Sequence, residues 1–230
     1  MDPVDEIDGV LPVNQARSRH ARDRLLHAGE RVFARLGYDA AHVSDIAQAA
    51  GCSVGSFYRR FRDKEAFFKA LHQRFTVRNI ENAARFFAMP QWQDEPTAVM
   101  VRTLIENTAN IMKRNHGFFR ALFQRTLAGA ANDFWPRMRA GTQRQGELLA
   151  EFLRARGEGT HENLTEACIF ALRSVDGVLV HRLLNEPASD DAFALDSLSR
   201  MALAFLGISD VPEEVRGTVA RRAARSADGG

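Results

Sequence analysis

Residues 43–71 read VSDIAQAAGCSVGSFYRRFRDKEAFFKAL, and the spacing within this stretch decides the fold. Two short helices, about 43–50 and 54–60, flank the turn Gly51-Cys52-Ser53. A helix-turn-helix needs small residues where its helices cross, a turn residue that accepts a positive φ, and apolar side chains that lock the second helix onto the first. Ala47, Ala50 and Gly51 meet the first two needs, and Val43, Ile46, Val54, Phe57 and Phe61 meet the third. Ser44 and Ser53 stand at the helix starts, where a hydroxyl caps unpaired N–H groups and, with the positive helix end, receives a phosphate. The second helix is expected to present Gly55, Ser56, Tyr58, Arg59 and Arg60 outward. Gly55 removes a side chain where a backbone must approach DNA, Tyr58 offers a phenol to a phosphate, and Arg59 suits a bidentate pair with guanine. Arg60 and Lys64 suit phosphate neutralisation.

The charge distribution points the same way. Residues 1–16 carry four acids and no base, whereas residues 17–64 carry ten bases against five acids, a local excess of +5 in a chain whose net charge is only +2. Positive charge gathered in one segment is what a phosphate-binding module uses, because neutralised phosphates release counterions.

The stretch resembles the helix-turn-helix of the tetracycline-repressor-like (TetR) family. The matching elements are Ile46-Ala47, Ala50-Gly51, Ser53 followed by Gly55, the aromatic pair Phe57-Tyr58, Phe61, and Lys64-Glu65. The resemblance implies an N-terminal three-helix DNA-binding domain and a C-terminal helical domain that dimerises and commonly takes a small-molecule inducer. Carried over position by position, it places DNA contacts on His42, Val43, Ser44, Val54, Gly55, Ser56, Tyr58, Arg59, Arg60 and Lys64, with Ser53 at the start of the reading helix. Cys52 departs from the aliphatic turn residue usual in the family. It reads as a small apolar substitute, or as a redox switch if its thiolate is exposed beside basic groups.

Outward from the motif, apolar residues recur at helical steps and nothing alternates as a strand does, so an all-α chain is expected. One helix should precede the motif, from about Arg17 to Leu36, with Ala21, Leu25, Ala28, Val32 and Leu36 inward and Gly37 as terminator. Asp63 caps a helix from Lys64 to about Phe87. Pro90 interrupts the pattern, after which helices are expected at about 96–115, 118–127, 134–156, 163–185 and 190–206. The expected divisions are a disordered acidic extension over 1–16, the DNA-binding domain over 17–63, a helical ligand-binding and dimerisation domain over 64–208, and a basic, partly disordered tail over 209–230 with a short helix around Arg216 to Arg225.

Residues 86–138 are rich in bulky apolar groups. Phe86, Trp92, Met100, Phe118, Phe119, Phe123, Trp135 and Met138 suit the lining of an apolar or aromatic inducer's pocket, with Asn107 and Arg173 among the polar candidates; the same residues also suit an ordinary core. The stretch from Val175 resembles the family's penultimate major helix, and the run to Phe205 its last. For these helices the resemblance implies an interface between two copies, with Val175, Gly177, Val178, Leu183, Leu184, Leu198, Met201 and Phe205 as candidates. Enzyme chemistry is not expected. HExxH and P-loop spacings are absent, and the seven histidines form no cluster of metal-site character, so no metal or cofactor is anticipated. With no secretory leader pattern and no long apolar run, the reading is a cytoplasmic protein, on the nucleoid when DNA-bound, with no membrane partner. The expected activity is that of a homodimeric repressor released from a palindromic operator by its ligand; a ligand-independent regulator or an activator of the same fold is the alternative.

Overall fold

The computed structural model describes residues 3–11, 16–127, 134–185 and 192–210. The described residues are all-α, apart from short 3-10 turns and one isolated β-bridge. The helices are α1 (Ala16–Ala40), α2 (Val43–Ala49), α3 (Val54–Tyr58), α4 (Lys64–Phe87), α5 (Thr97–Arg114), α6 (His116–Leu127), α7 (Phe134–Arg156), α8 (Leu164–Asn185) and α9 (Ala192–Leu206). The expected basic helix around Arg216 lies outside the described residues.

One compact unit takes the described residues of 1–81 and 111–141. Its core is aromatic: Phe33, Phe57, Phe61 and Phe67 are fully buried, and the Phe61 and Phe67 rings meet edge to face at 4.8 Å. Helix α1 buries Ala21, Leu25, Leu26, Ala28, Val32 and Phe33, whereas Leu36, expected inward, is 38% exposed because the helix breaks beside it at Gly37, with φ 73°. Close approach of α1 to α4 needs Gly29, since a Cβ there would stand 2.4 Å from the Phe67 ring. Helix α6 packs equally tightly on α1, where a Cβ on Gly117 would meet the Ala34 carbonyl oxygen at 2.4 Å.

The acidic N-terminal segment is not the disordered extension expected. Pro3–Glu6 forms a 3-10 turn, and Val4, Ile7 and Val10 are buried. Val10 bridges Phe61 in antiparallel fashion, with the Leu11 N–H donating to the Arg60 carbonyl and the Arg62 N–H to the Gly9 carbonyl, both at 2.8 Å. The three-residue spacing of the apolar side chains lets them enter the domain while the acids stay outside.

The other unit takes the described residues of 82–110 and 142–230. A 3-10 turn at Pro90–Gln93 follows α4, and the buried Trp92 indole donates to the Phe86 carbonyl at 2.6 Å. Arg156 donates to the carbonyls of Trp92 and Glu95 at 2.9 and 3.0 Å, tying this turn to α7. Helices α7 and α8 cross where a Cβ on Gly146 would lie 2.8 Å from the Ile169 Cα. Arg102 on α5 pairs with Asp196 at 2.7 Å and Asp210 at 2.6 Å, fixing α9 and the residues after it. No helix among the described residues is long and apolar enough to cross a membrane.

Candidate nucleic-acid interface

The turn between α2 and α3 is built as its residue types require. Gly51 has φ 61°, and the Cys52 N–H returns to the Ala47 carbonyl at 2.9 Å. Ile46 and Ala47 are buried on one side, and Phe57 on the other. Ser53 caps α3, its Oγ accepting from the Ser56 N–H at 3.1 Å. At the start of α2 the cap differs from expectation: His42 is the capping residue, its N–H donating to the Asp45 carboxylate at 2.9 Å, which leaves Ser44 exposed in the first turn. Residues 51–55 also satisfy the spacing G-x-S-x-G of hydrolase nucleophiles. That chemistry needs a strand-to-helix turn and a histidine partner. Here the serine joins two helices and its hydroxyl serves as a cap.

Helix α3 has two unlike sides. Val54, Gly55, Tyr58 and Arg59 are exposed, Tyr58 by 50% with its ring edge against Phe57. A Cβ on Gly55 would meet only the Ser53 Oγ, at 3.9 Å, so the protein's own packing does not demand glycine there. The Arg59 side chain makes no hydrogen bond or ion pair among the described residues, while its backbone N–H donates to the Gly55 carbonyl at 3.2 Å. Ser56 and Arg60, expected outward, face inward instead. The Arg60 guanidinium donates to the Ser56 carbonyl at 2.7 Å, to the Ser56 hydroxyl at 2.9 Å and to the Ser18 carbonyl at 3.1 Å, fastening α3 to α1. Burial, followed by the neighbouring Arg59 charge, lowers its pKa from the ordinary arginine value.

Lys64 also has a structural task. Its ammonium donates to the Tyr38 and Ala41 carbonyls at 3.0 and 3.1 Å and lies over the Tyr38 ring, joining the end of α1 to the start of α4. Three donors on an ammonium leave one for another acceptor. Tyr38 donates to Glu65 at 3.0 Å beneath the Arg125 guanidinium, which itself pairs with Glu65. Burial first, then Glu65, pushes the Tyr38 hydroxyl up to about 12, so it remains a neutral donor. Asp63 caps α4 through the Ala66 N–H at 2.7 Å, and this bond holds its carboxyl below the usual range. Cys52 is half-buried and accepts from Arg24 at 3.5 Å; Val43 is half-buried as well.

The pocket candidates divide between the two units. Phe118 and Phe119 belong to the first, the former tilted and the latter edge-on against Phe75, and Phe118 also meets Phe68; Phe123 is buried there too. Met138 is half-buried in the same unit, and the side chain of Trp135 lies outside the described residues. Phe86, Trp92 and Met100 are buried in the second unit, where Asn107 and Arg173 are exposed. None of these candidates lines the half-open cleft of about 250 Å³ in the first unit, bounded by Val4, Leu26, Val77, Arg78 and Glu81 among others. Within α8 and α9, Val175 and Leu198 are spent on the monomer's own core, and Leu183 and Leu184 are half-buried. Val178, Met201 and Phe205 remain 41%, 45% and 39% exposed, and nothing stands within 4 Å of a Cβ placed on Gly177. Sequence reasoning missed Phe170 and Phe193, which are more exposed still, at 60% and 82%. It also missed Arg62, which follows α3 in the chain and binds Asp8. Among the described residues, no three metal-ligating side chains converge.

Residues 25–71 match the family described as bacterial regulatory proteins, tetR family. The HTH-type transcriptional repressor Rv1474c of Mycobacterium tuberculosis is 42% identical over 64 residues, covering 28% of this chain and 34% of the relative. The HTH-type transcriptional repressor NemR of Escherichia coli is 33% identical over 72 residues, covering 28% and 36%. The chain thus matches about a third of the length of these relatives. Over the wider chain the likeness is one of fold. A putative TetR-family regulator from Mesorhizobium loti superimposes with a TM-score of 0.66 at 17% identity, covering 86% of this chain and 100% of that one. A TetR-family regulator from Streptomyces coelicolor gives 0.64 at 18% identity, covering 87% and 89%.

Proposed function

We propose that this chain, whose residues 25–71 match the tetR family of bacterial regulatory proteins, is a sequence-specific DNA-binding repressor that works as a homodimer on a palindromic operator. The observation that carries the reading is the division of α3. Its buried side is tied down by Phe57 and Arg60, while Val54, Gly55, Tyr58 and Arg59 stand on the side left open. Arg59 brings five unengaged donors to that side, the chemistry that reads guanine, and Tyr58 brings a hydroxyl suited to a phosphate. His42, Ser44 and Ser53 add donors at two helix starts, and the third proton of Lys64 adds a charge beside them.

Two half-sites require two copies. The exposed apolar groups of α8 and α9, with open space over Gly177, support self-association through these helices. The inducer in this proposal is a largely apolar small molecule, in keeping with the aromatic content of residues 86–138. Its binding would favour a conformation whose reading helices no longer match the half-sites, with α4, which starts at Lys64, as the mechanical link. A thermal-shift screen checks that part: stabilisation by an apolar ligand supports it, and none across a broad set removes it.

The DNA assignment is tested by titrating labelled duplexes with wild type, Tyr58→Ala and Arg59→Ala. Tyr58→Ala should weaken binding to all sequences alike, whereas Arg59→Ala should also lose discrimination at one base pair per half-site, roughly 10-fold or more. Unchanged affinity in both variants would overturn the assignment.

A further inference from the structure

We infer that Arg62 is an additional DNA phosphate-binding residue, and that the acidic N-terminal segment competes with DNA for it through Asp8. Arg62 lies in the connection between α3 and α4, three residues after Arg59 and two before Lys64. Its side chain is 57% exposed, yet each of its three guanidinium nitrogens donates to a carboxylate. Nη1 and Nη2 donate to the two oxygens of Asp8 at 3.3 and 3.1 Å, and Nε donates to Asp63 at 3.1 Å. The two-point fork to Asp8 is the geometry an arginine uses for a phosphate, so the carboxylate fills the place a DNA backbone oxygen would take.

The competitor is held in place by structure. Val4, Ile7 and Val10 are buried, Asp5 pairs with the buried Arg22, and the backbone of residues 9–11 bonds to residues 60–62. Gly9 makes the seating possible: it has φ 83°, and a Cβ there would stand 2.8 Å from Ala66 and 3.1 Å from the Arg62 guanidinium carbon. The Asp8 carboxylate itself is 85% exposed and, among the described residues, bonds only to Arg62. An anchored segment carrying an exposed acid presents that acid at high local concentration, while an exposed pair remains easy for a polyanion to displace. Asp63 is committed to capping α4 and stays where it is, so Asp8 is the partner that exchanges. The consequence is a brake on sequence-independent binding. Arg62 contributes to backbone affinity only where DNA outcompetes Asp8, which leaves discrimination to the open side of α3.

This inference rests on the proposal that α3 faces DNA, and the test separates the two. Binding of a mixed-sequence duplex to the full chain is measured against salt concentration for wild type, Asp8→Asn, Arg62→Ala and the double variant, with the melting temperature recorded for each. Asp8→Asn should tighten binding several-fold at low salt, with a gain that shrinks as salt rises. Arg62→Ala should lower the salt slope by up to about 0.9, the value of one phosphate contact. The gain from Asp8→Asn should disappear in the Arg62→Ala background. An equal gain in both backgrounds would reduce Asp8 to a distant charge, and a loss of affinity would make the segment a support for α3; either overturns the inference. An unchanged affinity overturns it too, while DNA binding by wild type keeps the proposed function intact. Failure of wild type to bind any duplex removes both.

Discussion

The α2–α3 segment and the α8–α9 pair both leave small and apolar residues uncovered, yet they are constrained in opposite ways. In the first, several positions have a specific duty: Gly51 turns the chain at positive φ, Ser53 caps, Phe57 and Phe61 fill the core, and Arg60 ties back to Ser18. In the second, Val175 and Leu198 need only be apolar and of suitable size, and Gly177 meets no neighbour that requires a glycine. Chemistry restricted to a few residue types survives as a motif over 25–71, whereas packing that many sequences satisfy survives only as a fold at 17–18% identity.

The comparison is broken most directly by paired alanine substitutions. Phe57→Ala should cost about 3–5 kcal/mol in urea unfolding, because it removes a ring packed against Phe61 and Phe67, whereas Phe193→Ala on α9 should stay within about 0.5 kcal/mol. Equal losses would show that the two regions do not differ as described. Arg60→Ala should come next, at about 1–3 kcal/mol, since it strips donors from a buried acceptor at Ser56 and a half-buried one at Ser18. The neighbouring Arg59→Ala should leave stability unchanged within error.

An effect of similar size and opposite sign lies in the second unit. The Asp176 carboxyl is enclosed, although parts of the residue reach the surface, and it accepts from Thr142 at 2.8 Å. Burial pushes it up to about 6. A carboxyl raised in the folded state above its unfolded value near 4 costs stability as pH climbs from about 4 through 6, where the fold must ionise it, and the cost is constant above. Asp176→Asn should therefore stabilise the chain at pH 7.5 by about 1–3 kcal/mol and change little at pH 4, as read by thermal unfolding at both pH values.

The helices were legible because apolar periodicity and terminators agree: α4 and α7 begin and end at the expected residues, and Gly157 follows the end of α7 with positive φ, whereas Gly37, expected to end α1, breaks it with positive φ and the helix runs on to Ala40. Side-chain direction was not legible. An arginine suits solvent or a buried carbonyl equally well, and the carbonyl that claims Arg60 belongs to Ser18, 42 residues away. The N-terminal segment was hidden by its own acids, since its anchors are three single residues whose partners fold in from elsewhere. Aromatic content over 86–138 similarly could not show that Phe118 and Phe86 serve different compact units.

The central claim is that the open side of α3 reads DNA in two symmetric copies. Selection of bound duplexes from a random pool tests it, run in parallel with wild type and Arg59→Ala. The account predicts an inverted-repeat consensus for wild type, with half-sites about one helical turn or a multiple of it apart, and the loss of preference at the same position in each half for the variant. A single unrepeated site, or an identical consensus from both proteins, would contradict it.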